Sequence, residues 1–193
     1  MKRLFFAAML VLFVATPSLS QNPMRLQGKV VLRAPLPEEP GWYLAGWNIT
    51  NVRDEATDNI NIIVGVGREM KNGRAEFMLQ RQYSIHSSQW FLDFRFQRQF
   101  NRHVSLFVEV APFLETAALY HFVRVEVPIT KRLNVMVESE NIHRNGKDSL
   151  GLGPGLSMRP MKLKWKLRLA PAIAWQLRLH DPDFIRFYLA FPF

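Results

Sequence analysis

From Gly41 to the last residue, apolar and polar side chains alternate in short runs separated by turn residues. Residues 89–100 show it best. Trp90, Leu92, Phe94 and Phe96 fall on one parity, and Asp93, Arg95, Gln97 and Gln99 on the other. A period of two is that of a β-strand, whose successive side chains point to opposite faces. The same reading gives strands at 42–50, 59–69, 74–83, 104–111, 119–127, 133–141, 150–158, 162–177 and 185–193. Asn72-Gly73 closes a tight hairpin, because that pair tolerates the positive φ such turns require. No helical periodicity interrupts the series. The expected fold is all-β, an antiparallel up-and-down barrel of ten strands, with eight or twelve as alternative counts. Pro23, Pro35, Pro37 and Pro40 break residues 21–40, which read as an irregular lead-in or partial plug. A strand at 26–33 would make eleven and break the even count of single-chain barrels.

The first twenty residues have a different character. Lys2 and Arg3 precede an apolar run from Leu4 to Val14, and small residues lead to Ser18 and Ser20. This three-part pattern is that of a cleaved signal peptide at 1–20, with Gln21 the first mature residue. The apolar run is shorter than the roughly 20 residues a spanning helix needs. No second such run follows, so entry into a membrane would have to be as a closed barrel. About 170 residues remain, enough for one domain at 41–193 behind the lead-in at 21–40.

The chain ends on Ile185, Phe187, Leu189, Phe191 and Phe193 at alternate positions. Together with an export signal, this apolar strand closing on Phe resembles the C-terminal assembly signal of small bacterial outer-membrane β-barrels. No narrower family matches. The resemblance implies a porin-like, transmembrane protein of the Gram-negative cell envelope. Phe187, Leu189, Phe191 and Phe193 would be read by the barrel-assembly machinery, and lipid and lipopolysaccharide would surround the finished barrel. In such barrels both termini are usually periplasmic and the periplasmic turns are short. The connections at 71–73, 101–103, 128–132 and 159–161 are then periplasmic. Those around Asp54, His86, Glu115, Asn145 and Pro182 face outward.

A soluble barrel has the same period with the faces exchanged. Two features favour the membrane sense. Lys162, Lys164, Lys166 and Arg168 oppose a long Leu/Trp face. Trp42, Tyr43, Trp47, Tyr83, Trp90, Trp165 and Trp175 lie near strand ends, as interfacial aromatics do. The polar parity then fills the lumen with Asp93, Arg95, Glu109, Arg124, Glu126, Glu138, Glu140, Lys162, Lys164, Lys166, Arg168 and Arg186. Glu69, Arg74 and Glu76 join them. A small barrel is just wide enough for side chains to fill, so an ion-paired, blocked lumen is expected. Gly151, Gly153 and Gly155 would make room for long side chains of the next strand.

Charge and chemistry add little. Net charge is +9, of which Lys2 and Arg3 leave with the signal. The basic residues sit among apolar ones in strands without a nucleic-acid motif, so nucleic acid is not an expected partner. A basic lumen stripe guiding anions is the alternative use of that charge. With no Cys, neither disulfide nor thiol chemistry is available. His86 with Ser84, Ser87 and Ser88 at an outward loop is the arrangement a Ser–His hydrolase would need, given an acid to orient the His. An outer-membrane lipid A deacylase is one such enzyme. His180 and Asp183 in the last outward loop would close beside Asp54, Glu55 and Asp58. That cluster is similar to the rim of the ten-stranded omptin proteases, although this chain is much shorter. Solvated turns are the preferred reading of both groups. His86, His143 and His180 lack metal-ligand spacing, so neither metal nor cofactor is expected. The reading is a non-enzymatic outer-membrane barrel with a structural, adhesion or narrow transport role. Its alternatives are a rim-active hydrolase and a narrow anion-preferring channel. Oligomeric state is not legible.

Overall fold

The computed structural model describes residues 24–52, 58–101, 103–144, 146–162 and 168–192. They form strands β1 (Met24–Pro35), β2 (Trp42–Val52), β3 (Asn59–Met70), β4 (Gly73–Ser84), β5 (Ser88–Gln99) and β6 (Ser105–Pro112). There follow β7 (Ala118–Pro128), β8 (Leu133–Arg144), β9 (Lys147–Met158), the two-residue β10 (Met161–Lys162), β11 (Arg168–Leu179) and β12 (Phe184–Pro192). No helix occurs among the described residues. The sheet runs β11-β12-β1-β2 and onward in sequence order to β9, and β9 pairs back to β11. The result is a closed barrel of eleven strands, with β10 a short hairpin arm on β11. Among the described residues, closure pairs each of the eleven barrel strands on both sides.

Eleven strands replace the expected ten. The difference lies at 24–35, where the proline-flanked segment is a strand rather than an irregular lead-in. Its apolar face, Leu26, Val30 and Leu32, is interrupted by Gly28, which hides the alternation. Parity is resolved by direction. Every seam is antiparallel except β1–β12, which is parallel from Met24↔Ile185 to Val31↔Pro192. Parallel pairs are slightly less stable per residue. Met24 therefore starts at the end of the barrel opposite Pro192. The chain lacks Cys, so this seam is directly testable. Gly28 and Leu189 are register partners. The G28C/L189C pair is expected to form a disulfide, seen as a shift on a non-reducing gel. A G28C/I185C pair, four residues out of register, should stay reduced, because Cα atoms more than about 7 Å apart cannot be bridged.

One end of the barrel, the Asn72 end, carries the connections at 36–41, 71–72, 100–104 and 129–132 and the one from β9 to β11 that holds β10. The other, the His180 end, carries those at 53–58, 85–87, 113–117, 145–146 and 180–183. The two sets do not differ in length as expected, because the strands run further. β8 and β9 extend to Arg144 and Lys147, so the loop foreseen at 143–149 is a tight turn with Gly146 at φ 78°.

The faces are inverted relative to a soluble protein. Ile62, Val64, Phe77, Phe94, Val137 and Leu177 are exposed on the outside, whereas Glu76, Asp93, Arg95, Glu138, Glu140 and Arg186 are buried within. Two of the aromatics expected at the rims also lie inside. Tyr43 and Trp47 share the parity of the buried Ala45 and Ile49 and pack with them. Trp42, Tyr83 and Trp175 are exposed outside, and Trp165 lies outside the described residues. Ile185, expected on the open face, is only 9% exposed. Its register partners Met24 and Trp175 flank it on the same face.

Candidate functional site: an ion-paired septum in the lumen

Inward-facing strand positions converge on four buried acidic centres near mid-barrel. At the first, Arg95 donates from Nε (3.1 Å) and Nη2 (2.8 Å) to the two oxygens of Asp93, and from Nη2 to Glu109 (3.3 Å). Asp93 and Arg95 are two apart on β5, so both necessarily point inward. The guanidinium also lies 4.2 Å from the Trp47 ring, a cation–π contact. At the second, Glu76 accepts from Tyr43 Oη (2.8 Å), Arg33 Nε (3.1 Å) and Trp47 Nε1 (3.1 Å), with Arg74 at 3.6 Å.

The third and fourth are joined. Glu138, with no exposed surface, accepts from Arg124 Nε (3.1 Å) and Nη2 (2.8 Å), from the Tyr188 hydroxyl and from Gln176 Nε2. Glu140 accepts from Arg178 Nη2 (2.7 Å), Arg186 Nη2 and Tyr120 Oη (3.3 Å). Arg186 Nη1 donates to Tyr188 Oη (3.2 Å), which ties the two centres together. Glycines on β9 make this possible. A Cβ on Gly153 would stand 2.5 Å from Gln176 Nε2 and 3.1 Å from Glu138 Cγ, and one on Gly151 would stand 2.8 Å from Arg178 Nη1. The space beside Gly153 and Gly151 is taken by Gln176 and Arg178 of β11.

This layer divides the lumen. Toward the His180 end lies a small cavity of about 90 Å³. One wall is a chain of carboxamides. Gln27 donates to Asn51 (2.6 Å), Asn51 and Asn61 to Asn59 (2.7 and 3.0 Å), and Gln80 to Asn61 (2.9 Å). Phe91 and Phe113, 4.2 Å apart, stand among its other lining residues. Toward the Asn72 end the lumen opens into a vestibule of about 1360 Å³.

Of the lumen residues named from sequence, Asp93, Arg95, Glu109, Arg124, Glu138, Glu140 and Arg186 meet in the septum. Glu126 sits 3.9 Å from Arg124 at the vestibule wall. Lys162 is exposed on β10, and Arg168 is exposed at the vestibule mouth. Lys164, Lys166 and Phe193 lie outside the described residues. Phe187 and Phe191 are half-buried and Leu189 is exposed on β12. Sequence reasoning missed Arg33 because β1 was not recognised. It missed Arg178, placed in a loop, because β11 runs two residues further than expected. It missed Tyr43 and Trp47 because aromatics near strand ends were assigned to the rim. Strict parity would have found the last two.

The rim candidates do not assemble. Ser88 Oγ accepts from Arg81 Nη2 (3.0 Å), and Ser84 and Ser87 bond to each other (2.9 Å). His86 and His180 make no hydrogen bond among the described residues. His180 holds a positive φ of 74°. Asp183 Oδ1 accepts from the Arg178 main-chain N–H (2.8 Å), and Asp181 bonds Ser149. Asp183 therefore serves its own turn, and Asp181 ties that turn to β9. Asp54 and Glu55 lie outside the described residues. His143 pairs with Asp148 (3.0 Å) and stacks on His121. No group of three or more metal-ligating side chains occurs among the described residues.

Fold and lumen together define the class: a closed β-barrel with an apolar exterior and a charged, internally paired interior. Comparison with protein-family models, curated proteins and solved structures returned no match.

Proposed function

We propose that this protein is an integral outer-membrane β-barrel whose septum seals the lumen, with a structural or adhesion role rather than that of a general pore. The inversion of faces carries the reading. A chain folding in water would put Val64 and Phe94 inside and Asp93 and Glu138 outside. Here exposed apolar residues face outward on strands around the barrel and the acidic centres are buried within, as suits a lipid solvent. The export pattern at 1–20 and the C-terminal strand support delivery to that membrane. In this reading Pro192 ends at the periplasmic face, the Asn72 end opens to the periplasm, and β1 starts at the outward face.

Fractionation of expressing cells tests the location. The protein is expected in the outer-membrane fraction, and unboiled samples should migrate differently from boiled ones on gels. Recovery as a soluble periplasmic protein would sink the proposal. Planar-bilayer recordings test the seal: no steady conductance is expected, because the paired side chains of the septum cross the lumen. A regular open channel would favour the narrow anion-preferring alternative, which the basic vestibule suits.

A further inference from the structure

The vestibule at the Asn72 end has a composition the septum does not explain. Arg33, Arg74, Arg124, Lys131, Arg159 and Arg168 line it, with Lys29 at its floor, and among the described residues Glu126 is the only carboxylate on its wall. The septum uses part of that charge. Arg33 and Arg74 share the single carboxylate of Glu76, and Arg124 bonds Glu138 and lies near Glu126. Counting these three acids against the six cations leaves three in excess. Lys131, Arg159 and Arg168 have no acidic partner among the described residues. Arg33 adds a sharper signal. Its Nε is bonded to Glu76, but its Nη2 is a buried donor with no acceptor. Its side chain lines the vestibule and is 19% exposed there, while Nη2 itself is covered.

A concave, walled site with like charge focuses field lines and concentrates counter-ions. Forked guanidiniums from neighbouring positions match phosphate oxygens pairwise. We infer that the vestibule is a binding site for phosphate-bearing multivalent anions, held by Arg33 and Arg74 at the wall and by Lys131, Arg159 and Arg168 at the mouth. The site rests on the lumen geometry. The proposal that this barrel resides in the outer membrane supplies only the compartment the mouth opens to. The septum caps the site, so the anion enters and leaves by one mouth.

The test uses the full mature chain folded in a non-ionic detergent, with folding checked by its heat-dependent mobility, and inorganic pyrophosphate as probe. Calorimetric titration at low salt should give saturable binding that weakens as salt rises, since exposed charges are screened. R33Q/R74Q is expected to weaken it at least tenfold. Because those residues also touch the septum, K131Q/R168Q at the exposed mouth provides a second readout. It should weaken binding by about fivefold per cation, the effect of about 1 kcal/mol from a charge at contact distance in water. R81Q, on β4 near the His180 end, should bind like the parent. Dispersed cardiolipin, whose headgroup carries two phosphates, would assign the site to a lipid headgroup if it competes with pyrophosphate, and to a free phosphate if it does not. Absence of saturable binding by the folded parent, or equal affinity in the parent and K131Q/R168Q, would overturn the inference. Either result would leave the membrane reading standing, because the assay contains no membrane.

Discussion

Arginine at position 64 should be far more damaging than arginine at position 52, although both positions are exposed. Val64 lies midway along β3, 57% exposed on the outer face, between its register partners Gly46 and Leu79. Val52 is the last residue of β2, 48% exposed on the same outer face. In water neither substitution removes packing, and each should change stability by no more than about 0.5 kcal/mol. In a bilayer the two differ by depth. A cation at the midplane of a barrel's lipid face costs about 2–4 kcal/mol, falling to about 0–1 kcal/mol near the interface. V64R should therefore lower folding stability in lipid vesicles by about 2–4 kcal/mol, and V52R by less than about 1 kcal/mol. Urea titrations of the vesicle-embedded protein, read by the heat-modifiable band, measure both. Equal small effects would mean that no hydrocarbon surrounds β3, and the membrane reading would fail with them.

Most of the architecture was legible because a barrel wall obeys one local rule. Side-chain parity along 59–69, 89–100 and 185–193 identifies β3, β5 and β12 and their inward residues without any long-range information. β1 escaped the rule for two reasons. Gly28 breaks its outer face, Pro35 ends it and Pro37 follows closely. Its partner also lies at the far end of the chain and runs parallel to it, which no hairpin signal announces. The lumen residues were legible as a set but not as pairs. Parity says that Glu138 and Arg186 face inward, but not that Glu138 takes Arg124 while Glu140 takes Arg178 and Arg186. That choice depends on stagger around the barrel and on the room left by Gly151 and Gly153. The rim misled for the opposite reason. Ser, His and Asp are common in turns because they bond nearby backbone. Asp183 on the Arg178 N–H is such a case, and its proximity to His180 in sequence carried no chemistry.

Removing the Glu138 carboxylate should be the most destabilising single change in the lumen. Four donor atoms on three residues converge on it: two from Arg124, one from Tyr188 and one from Gln176. E138A would leave the half-buried Arg124 with Glu126, 3.9 Å away, as its one remaining acidic partner among the described residues. It would also leave the Tyr188 hydroxyl and Gln176 amide without their acceptor. Breaking one side of a buried ion pair costs about 3–5 kcal/mol, a large share of the roughly 5–15 kcal/mol that holds a domain together. The fast-migrating folded band should therefore be lost at a much lower urea concentration than in the parent. E138Q keeps the shape and one acceptor and should fall between the two. The pair R124M/E138L should recover part of the loss, because removing both charges leaves no ion unpaired. That recovery separates charge pairing from simple loss of volume, since both single and double changes alter packing. An unchanged urea midpoint in E138A would mean that the septum does not hold the barrel together, and that these acids and arginines are kept for another purpose.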